Sequence, residues 1–484
     1  MAENKKYLVI DIGTGNVRVA VTNTTGQVLS IATDDLHYHK DNAYPDSIYF
    51  DPGVLWDQIL TLARQVIEPG FAADIVAVTS SSQREGIVVI DHEGNPVLGM
   101  PNIDHRGRAF EDMLQDKNRV YQLTGRYPTS LFSALKLVGL KEKHPDLHQK
   151  TDKVLSISDW ALFQVSGIVG YEHSQASETL LYDVENKIWS DELCGYFGIP
   201  RSLLPPLVEA GTVLGTVDKI FARSLGLYPA TKVIVGGADT QLAIESTWPS
   251  PDDVVLVSGT TTPVIKIVSD YLTDPQQRTW TNSHTSPDSY ILETNAGVTG
   301  LNYQRFKAIF YPNEGYEVLE AEVRQVMQSP PQCYAALGSL LADEKKPLLK
   351  GGFTFSTPIS HELTRGHFTF ALLWDLACSI FENYKSLIDL APYQKNYVWA
   401  CGGGIQSPVL QQLLANLLNK EIRIRENFRQ ATVAGGAVIC SRALGIINNQ
   451  ELPYTSILPE TSHECNSWYQ TWKQNRQNYK NTQS

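Results

Sequence analysis

The run Tyr7-Leu-Val-Ile-Asp-Ile-Gly-Thr-Gly-Asn-Val-Arg-Val-Ala-Val-Thr-Asn begins wholly apolar, breaks at glycines and resumes with Val17, Val19 and Val21 in alternation. That pattern predicts a buried strand, a Gly-Thr-Gly turn and a second strand, with Asp11 at the neck of the hairpin. A second unit of the same kind is predicted at Asp253-Val-Val-Leu-Val-Ser-Gly-Thr-Thr-Thr-Pro-Val-Ile-Lys-Ile-Val, with Gly259-Thr260 in the turn. Between them, 74–82 and 86–91 read as strands and 131–144 and 156–165 as helices. Lys232-Val-Ile-Val-Gly-Gly-Ala-Asp reads as a buried strand that delivers Asp239 at its tip, with an apolar helix from Gln241. In the second half, Phe368 to Asp389 reads as a long amphipathic helix. Tyr397-Val-Trp-Ala-Cys-Gly-Gly-Gly reads as a strand running into a triple glycine, and Ser407 to Leu418 as the helix that follows. Beyond Leu444 the chain turns polar with scattered Tyr and Trp, either a docked surface helix with a frayed end or a tail.

A chain of 484 residues exceeds what one core usually serves, so two large domains and a cleft between them are expected. Forty basic against 52 acidic side chains give a net charge of −12, with no Lys/Arg-dense stripe, which argues against a nucleic-acid partner. The opening MAENKKYLVI carries no apolar leader segment, and no run approaches the roughly 20 apolar residues that span a bilayer. Six cysteines without a C-x-x-C pair fit a reduced compartment. A cytoplasmic protein without a membrane partner is expected, and a homodimer is compatible with the sequence.

Phosphoryl transfer needs backbone donors and a metal to hold phosphates, and a carboxylate to take the acceptor proton. Gly13-Thr14-Gly15-Asn16 and Gly259-Thr260-Thr261 can each present successive amides to phosphate oxygens. Asp11 is placed for a water-mediated Mg2+ contact or, alternatively, caps its own turn. Asp239 suits a base whose pKa is kept low by a helix N-terminus, although an ordinary helix cap would have the same sequence. Gly402-Gly403-Gly404 lets a nucleoside approach the backbone. The turn Gln83-Arg84-Glu85 offers a guanidinium and a carboxylate to adjacent hydroxyls, and Asp104 and Arg106 form a second polar cluster; each could equally be a plain ion pair.

Taken in order, these motifs resemble the FGGY family of carbohydrate kinases from about Tyr7 to about Ala443. Asp11 to Arg18 is similar to its first phosphate motif, Gly259-Thr-Thr261 to its second, and Gly402-Gly-Gly404 with Ala434-Gly-Gly-Ala437 to its adenosine motif. Gly236-Gly-Ala-Asp239 resembles the segment that bears the catalytic base. The resemblance implies an α/β chain of two ribonuclease-H-like (actin-like ATPase) domains, 1–245 and 246–445, with an interdomain cleft and a polar C-terminal piece, 446–484. It implies ATP and Mg2+ as cofactors and a small sugar or polyol as substrate. Asp239 is then the base and, with Asp11, a metal contact; Gln83, Arg84, Glu85, Asp104, Arg106, Asp239 and Gln241 face the acceptor; and Arg18, Ser407 and the glycine turns face the nucleotide. Ser82-Gln-Arg-Glu and Pro101-Asn-Ile-Asp-His-Arg106 resemble the autoinducer-2 kinase branch, which implies a short open-chain acceptor such as linear dihydroxy-pentanedione; ketopentose, gluconate and glycerol are the rivals. Gly139 stands where the family signature carries Trp, Gln430 where an acid is common, and Ala-Asp-Glu-Lys-Lys-Pro from 342 replaces a family stretch. A non-catalytic sensor or filament protein on the same fold is the alternative of another class.

Overall fold

The computed structural model describes residues 4–68, 70–344, 347–446, 452–460 and 465–481, so Lys345 and Lys346 of the replaced stretch lie outside the described residues. The chain forms two compact units. The first comprises 1–248, 269–291 and 430–451, and the second 249–268, 292–429 and 452–484.

In the first unit, strands β1 (Lys6–Ile12), β2 (Asn16–Asn23), β3 (Val28–Asp35), β4 (Ile75–Ser82), β5 (Val213–Thr216) and β6 (Lys232–Ala238) make one sheet in the order β5-β6-β4-β1-β2-β3. The predicted hairpin is β1 and β2, paired antiparallel. Strand β4 lies parallel to β1 and to β6. These three central strands are apolar on both faces because both are covered. On one face Leu8, Ile10 and Val78 pack with Leu55, Ile59 and Trp160, and on the other Tyr7, Val9 and Ile234 pack with Val433 and Ala437.

The helix Ala431–Ala443 therefore belongs to the first unit, although it comes late in the sequence. Its two central glycines explain how it packs so closely. A Cβ on Gly435 would lie 1.7 Å from the carbonyl oxygen of Leu242, and one on Gly436 would lie 2.9 Å from Val9. Gly139 is set the same way, since a methyl there would meet the Arg106 carbonyl at 2.6 Å.

The second unit repeats the plan. Strands β7 (Val254–Val257), β8 (Thr261–Val268), β9 (Tyr290–Val298), β10 (Tyr397–Cys401), β11 (Glu421–Arg425) and β12 (Tyr454–Ile457) follow the order β9-β8-β7-β10-β11-β12. Hairpin β7–β8 is antiparallel, and β10 lies parallel to β7 and to β11. The long helix Arg365–Leu390 is buried along most of its length, as its apolar stripe predicts. The polar C-terminal segment includes a helix, Cys465–Asn481, that is docked in this unit. Trp472 is fully buried and donates to Asp375, and Arg476 is paired to Glu344. Among the described residues no helix is long and apolar enough to cross a membrane.

Candidate active site

Asp239 reaches its position because β6 ends against β4 with a break in register between Ile234 and Gly237. Gly236 makes that approach possible, since a Cβ there would sit 1.9 Å from the Ser80 carbonyl oxygen. Ser81 donates to the Gly237 carbonyl at 3.0 Å, and the Ala238 amide donates to Ser174 at 3.0 Å. Asp239 opens the helix Asp239–Glu245, and its carboxylate accepts the Thr240 amide at 2.7 Å. The helix N-terminus was expected to keep this acid's pKa low. Burial outweighs it and pushes the pKa up, against the charge of Arg84 and the Thr240 hydrogen bonds.

Strand register brings the second carboxylate alongside. Ser81 of β4 lies opposite Gly237 of β6 on one side and Asp11 of β1 on the other, so both acids sit at the carboxyl edge of the same three parallel strands. Asp11 is raised to about 6, chiefly by burial, with Arg18 pulling the other way and the Asp239 charge adding to the rise. Arg18 stands across the hairpin from Asp11 and pairs with it at 3.3 Å, so it positions this acid as well as facing outward. Among the described residues no three His, Cys, Asp or Glu side chains converge as metal ligands. Two carboxylates at one edge fit Mg2+, which binds through one or two acids and takes its other ligands from phosphate and water.

The turn that follows β4 lies at the same edge. Gln83 donates to the Gly13 carbonyl at 3.1 Å and accepts the Asn102 amide at 2.9 Å, tying this turn to the β1–β2 hairpin. Arg84 lies 3.6 Å from Glu178. Glu85 has φ +61, a conformation that costs a non-glycine residue energy and is concentrated at functional sites. Burial and Glu178 raise Glu85 to about 8. Gln241 is buried and donates to the Ser283 carbonyl at 3.3 Å.

Asp104 and Arg106 do not join this group. Both side chains are bonded to one another at 2.6 Å and to Ile48 and Asp41, so their polar atoms are taken up in bracing the 41–48 loop.

In the second unit Gly259, Thr260 and Gly403 are exposed, and a Cβ on either glycine would meet no atom within 4 Å. Gly402 (φ +92) and Gly404 let the triple-glycine turn lie on Ser258, where added Cβ atoms would stand 2.2 and 2.4 Å from its atoms. The turn is fixed by Gly404 donating to the Ser258 carbonyl at 2.7 Å. The amides of Gly13 and Gly259 close their own turns onto Asn16 and Thr261, so a phosphate, if bound, would have to be met by the other donors of each loop: Thr14, Gly15 and Asn16, or Thr260 and Thr261. Ser407 caps the helix Pro408–Leu418 through the Leu410 amide. Exposed backbone turns beside a flat glycine floor suit ATP.

Sequence reasoning did not group Arg126, Glu178 and Lys136 with the Arg84-Glu85 turn, although all three act electrostatically on Glu85. Lys136 is fully buried, lowered to about 8 mainly by burial, and electrostatically linked to Asp104 and Glu85. A charged residue within a predicted buried helix face, such as Lys136, is the one signal that could have pointed here.

The N-terminal domain model of the FGGY family of carbohydrate kinases matches residues 6–244, and its C-terminal domain model matches 254–444. The chain is 48% identical over 484 residues to "Putative sugar kinase YoaC" of Bacillus subtilis, covering 100% of this chain and 99% of that one. It is 25% identical over 504 residues to the autoinducer-2 kinase of Escherichia coli K12, covering 97% and 91%. Among solved structures, a glycerol kinase from Plasmodium falciparum with ADP matches with a TM-score of 0.86 at 17% identity, covering 98% of each chain. A xylulose kinase from Lactobacillus acidophilus matches with a TM-score of 0.82 at 18% identity, covering 99% and 97%. The structural likeness shows the fold, a two-domain α/β architecture consistent with the actin-like ATPases.

Proposed function

The chain belongs to the FGGY family of carbohydrate kinases, phosphotransferases that move a phosphoryl group from ATP to an alcohol, and from that premise we propose that its acceptor is a short open-chain sugar derivative such as linear dihydroxy-pentanedione. The observation that carries the catalytic assignment is the convergence of Asp239, Asp11 and the Arg84-Glu85 turn at one carboxyl edge of the first unit's sheet. The choice of acceptor is supported by the autoinducer-2 kinases, which align with nearly the whole chain.

In this reading Asp239 takes the proton of the attacking hydroxyl, and its raised pKa moves it toward the range where a base works efficiently at neutral pH. Arg84, Glu85 and Gln241 orient the acceptor, with Gln83 holding the turn against the first phosphate hairpin. Asp11 and Asp239 would hold Mg2+, which neutralises charge on the phosphates when bound. The Gly-Thr turns of the two units bind phosphate, and the Gly402–Gly404 turn receives the nucleoside.

ADP formation with the purified protein and Mg-ATP, measured against pentuloses, polyols, aldonates and linear dihydroxy-pentanedione, tests the proposal. Highest kcat/KM is expected for the pentanedione. A pentulose or glycerol preferred over it overturns the acceptor assignment, and silence across the panel overturns the catalytic one.

A further inference from the structure

Glu178 lies between two guanidinium groups in the first unit. Its Oε1 accepts from Arg126 Nη2 at 2.5 Å and stands 3.6 Å from Arg84 Nη1, and Arg84 in turn is the charge that opposes the rise of the Asp239 pKa. The Arg126 guanidinium lies against Trp280, 4.4 Å from the ring centre, and Phe132 at 5.6 Å, two rings that also touch one another, and it donates to Asn282. Both side chains of the Arg126–Glu178 pair are at least 99% buried.

The pair is nonetheless incompletely bonded. Arg126 Nε and Nη1, Glu178 Oε2 and, next to the same Asn282-Ser283 segment, Gln241 Oε1 have no hydrogen-bond partner among the described residues. Buried polar atoms are nearly always paired, and leaving one unmet costs about 1–3 kcal/mol. Here orphan donors and orphan acceptors occur together. A hydroxyl meets both, because it accepts and donates at once, whereas a carboxylate can only accept. The cations here are already matched by acids: Arg84, Arg126 and Lys136 act on Glu85, Glu178 and Asp239, and Arg18 pairs with Asp11, so an incoming carboxylate would meet no cation that is not already neutralised.

We propose that Arg126 and Glu178, with Gln241, form the specificity-determining wall of the acceptor site, binding the hydroxyls distant from the reacting one and selecting neutral polyhydroxy acceptors over sugar acids. This rests on the kinase reading above and narrows it, since it sets gluconate and other aldonates outside the substrate class.

Initial rates of the wild-type protein on matched pairs, a polyol or ketose against the aldonate of equal chain length, give the first test. The neutral member is expected to have a kcat/KM at least about a hundredfold higher, the range open to a site whose buried polar groups are left unpaired by the wrong ligand. In Glu178→Gln one negative charge is removed with little change of shape, and that ratio should fall by about tenfold or more. A wild type that prefers an aldonate overturns the inference while leaving the kinase standing. An unchanged ratio in a folded Glu178→Gln protein, checked by its melting curve and by ADP binding, reduces the pair to a structural ion pair and overturns the inference as well. A wild type that phosphorylates nothing in the panel removes both readings. Should Glu178→Gln fail to fold, the wild-type ratio alone decides.

Discussion

A carboxylate in the first turn of a helix is ordinarily eased into its ionised form by the amides around it, and Asp239 does accept the Thr240 amide. Its neighbourhood reverses the balance. Burial at the strand end that delivers it disfavours the charged form most, and the nearby acids Glu178 and Asp11 oppose a further negative charge. Arg84 is the main counterweight. A base in this setting should be indispensable to transfer but not to nucleotide binding, because the glycine turns assigned to the nucleoside lie in the other unit. Asp239→Asn is therefore expected to lower kcat about a thousandfold or more. Its ADP affinity, measured by calorimetry, should stay within about threefold of wild type. A kcat within tenfold of wild type would remove Asp239 from the base role.

Glycine decides how closely the elements pack. Helix Ala431–Ala443 can lie on Asp239–Glu245 because position 435 lacks a side chain, and a Cβ 1.7 Å from the Leu242 carbonyl leaves no rotamer by which to escape. Gly435→Ala should destabilise the protein by about 3 kcal/mol or prevent the helix from docking. Gly403→Ala, where the added carbon meets nothing within 4 Å, should leave the melting temperature unchanged. Equal melting of the two variants would show that the helix tolerates displacement. This helix also marks where the sequence stopped being legible. Both phosphate hairpins, the strand that ends at Asp239, the Arg365–Leu390 helix and the triple-glycine turn were readable because each carries its own period and punctuation. That Ala-Gly-Gly-Ala would pack on Leu242 from nearly two hundred residues earlier depends on tertiary approach, which leaves no local pattern. The same holds for Arg126 and Glu178, whose pairing spans 52 residues. Asp104 and Arg106 looked like acceptor ligands for a related reason: a D-x-R spacing reads alike whether the pair faces a ligand or is bonded to itself in the interior.

Across the molecule as a whole, buried acids with raised pKa values set how stability responds to pH. In the first unit Asp159 is raised to about 7 and Glu172 to about 8, both by burial, and Asp11 to about 6; in the second, Asp375 is raised to about 6. Each binds its proton more tightly when folded than when unfolded. Their contribution is complete below the ordinary carboxylate range and is lost as pH rises through the folded values. Glu85, raised to about 8, adds to this loss, whereas Lys136, lowered to about 8, acts with the opposite sign and only above that pH, so the upper part of the slope rests on Asp159, Glu172 and Glu85. Acids held low by cations act in the other direction: Glu322 by its hydrogen bonds to Arg365, and Glu344, against burial, by Arg476 and Lys480, lose their contribution on acidification. The melting temperature should therefore fall between about pH 5 and pH 8 and level off above, with a limiting slope of about 1.4 kcal/mol per pH unit for each group whose folded pKa has not yet been passed. Glu172 also holds Ser174, whose hydroxyl receives the Ala238 amide just before Asp239, so its ionisation would load the strand that carries the base. Glu172→Gln, which keeps the shape of the protonated acid and cannot ionise, should flatten the upper part of that slope near pH 8, where wild type is still losing stability. A melting curve for Glu172→Gln that falls as steeply as wild type above pH 7 would place the alkaline loss elsewhere, and Glu85→Gln, at the other acid raised to about 8, is then the variant in which the slope should disappear.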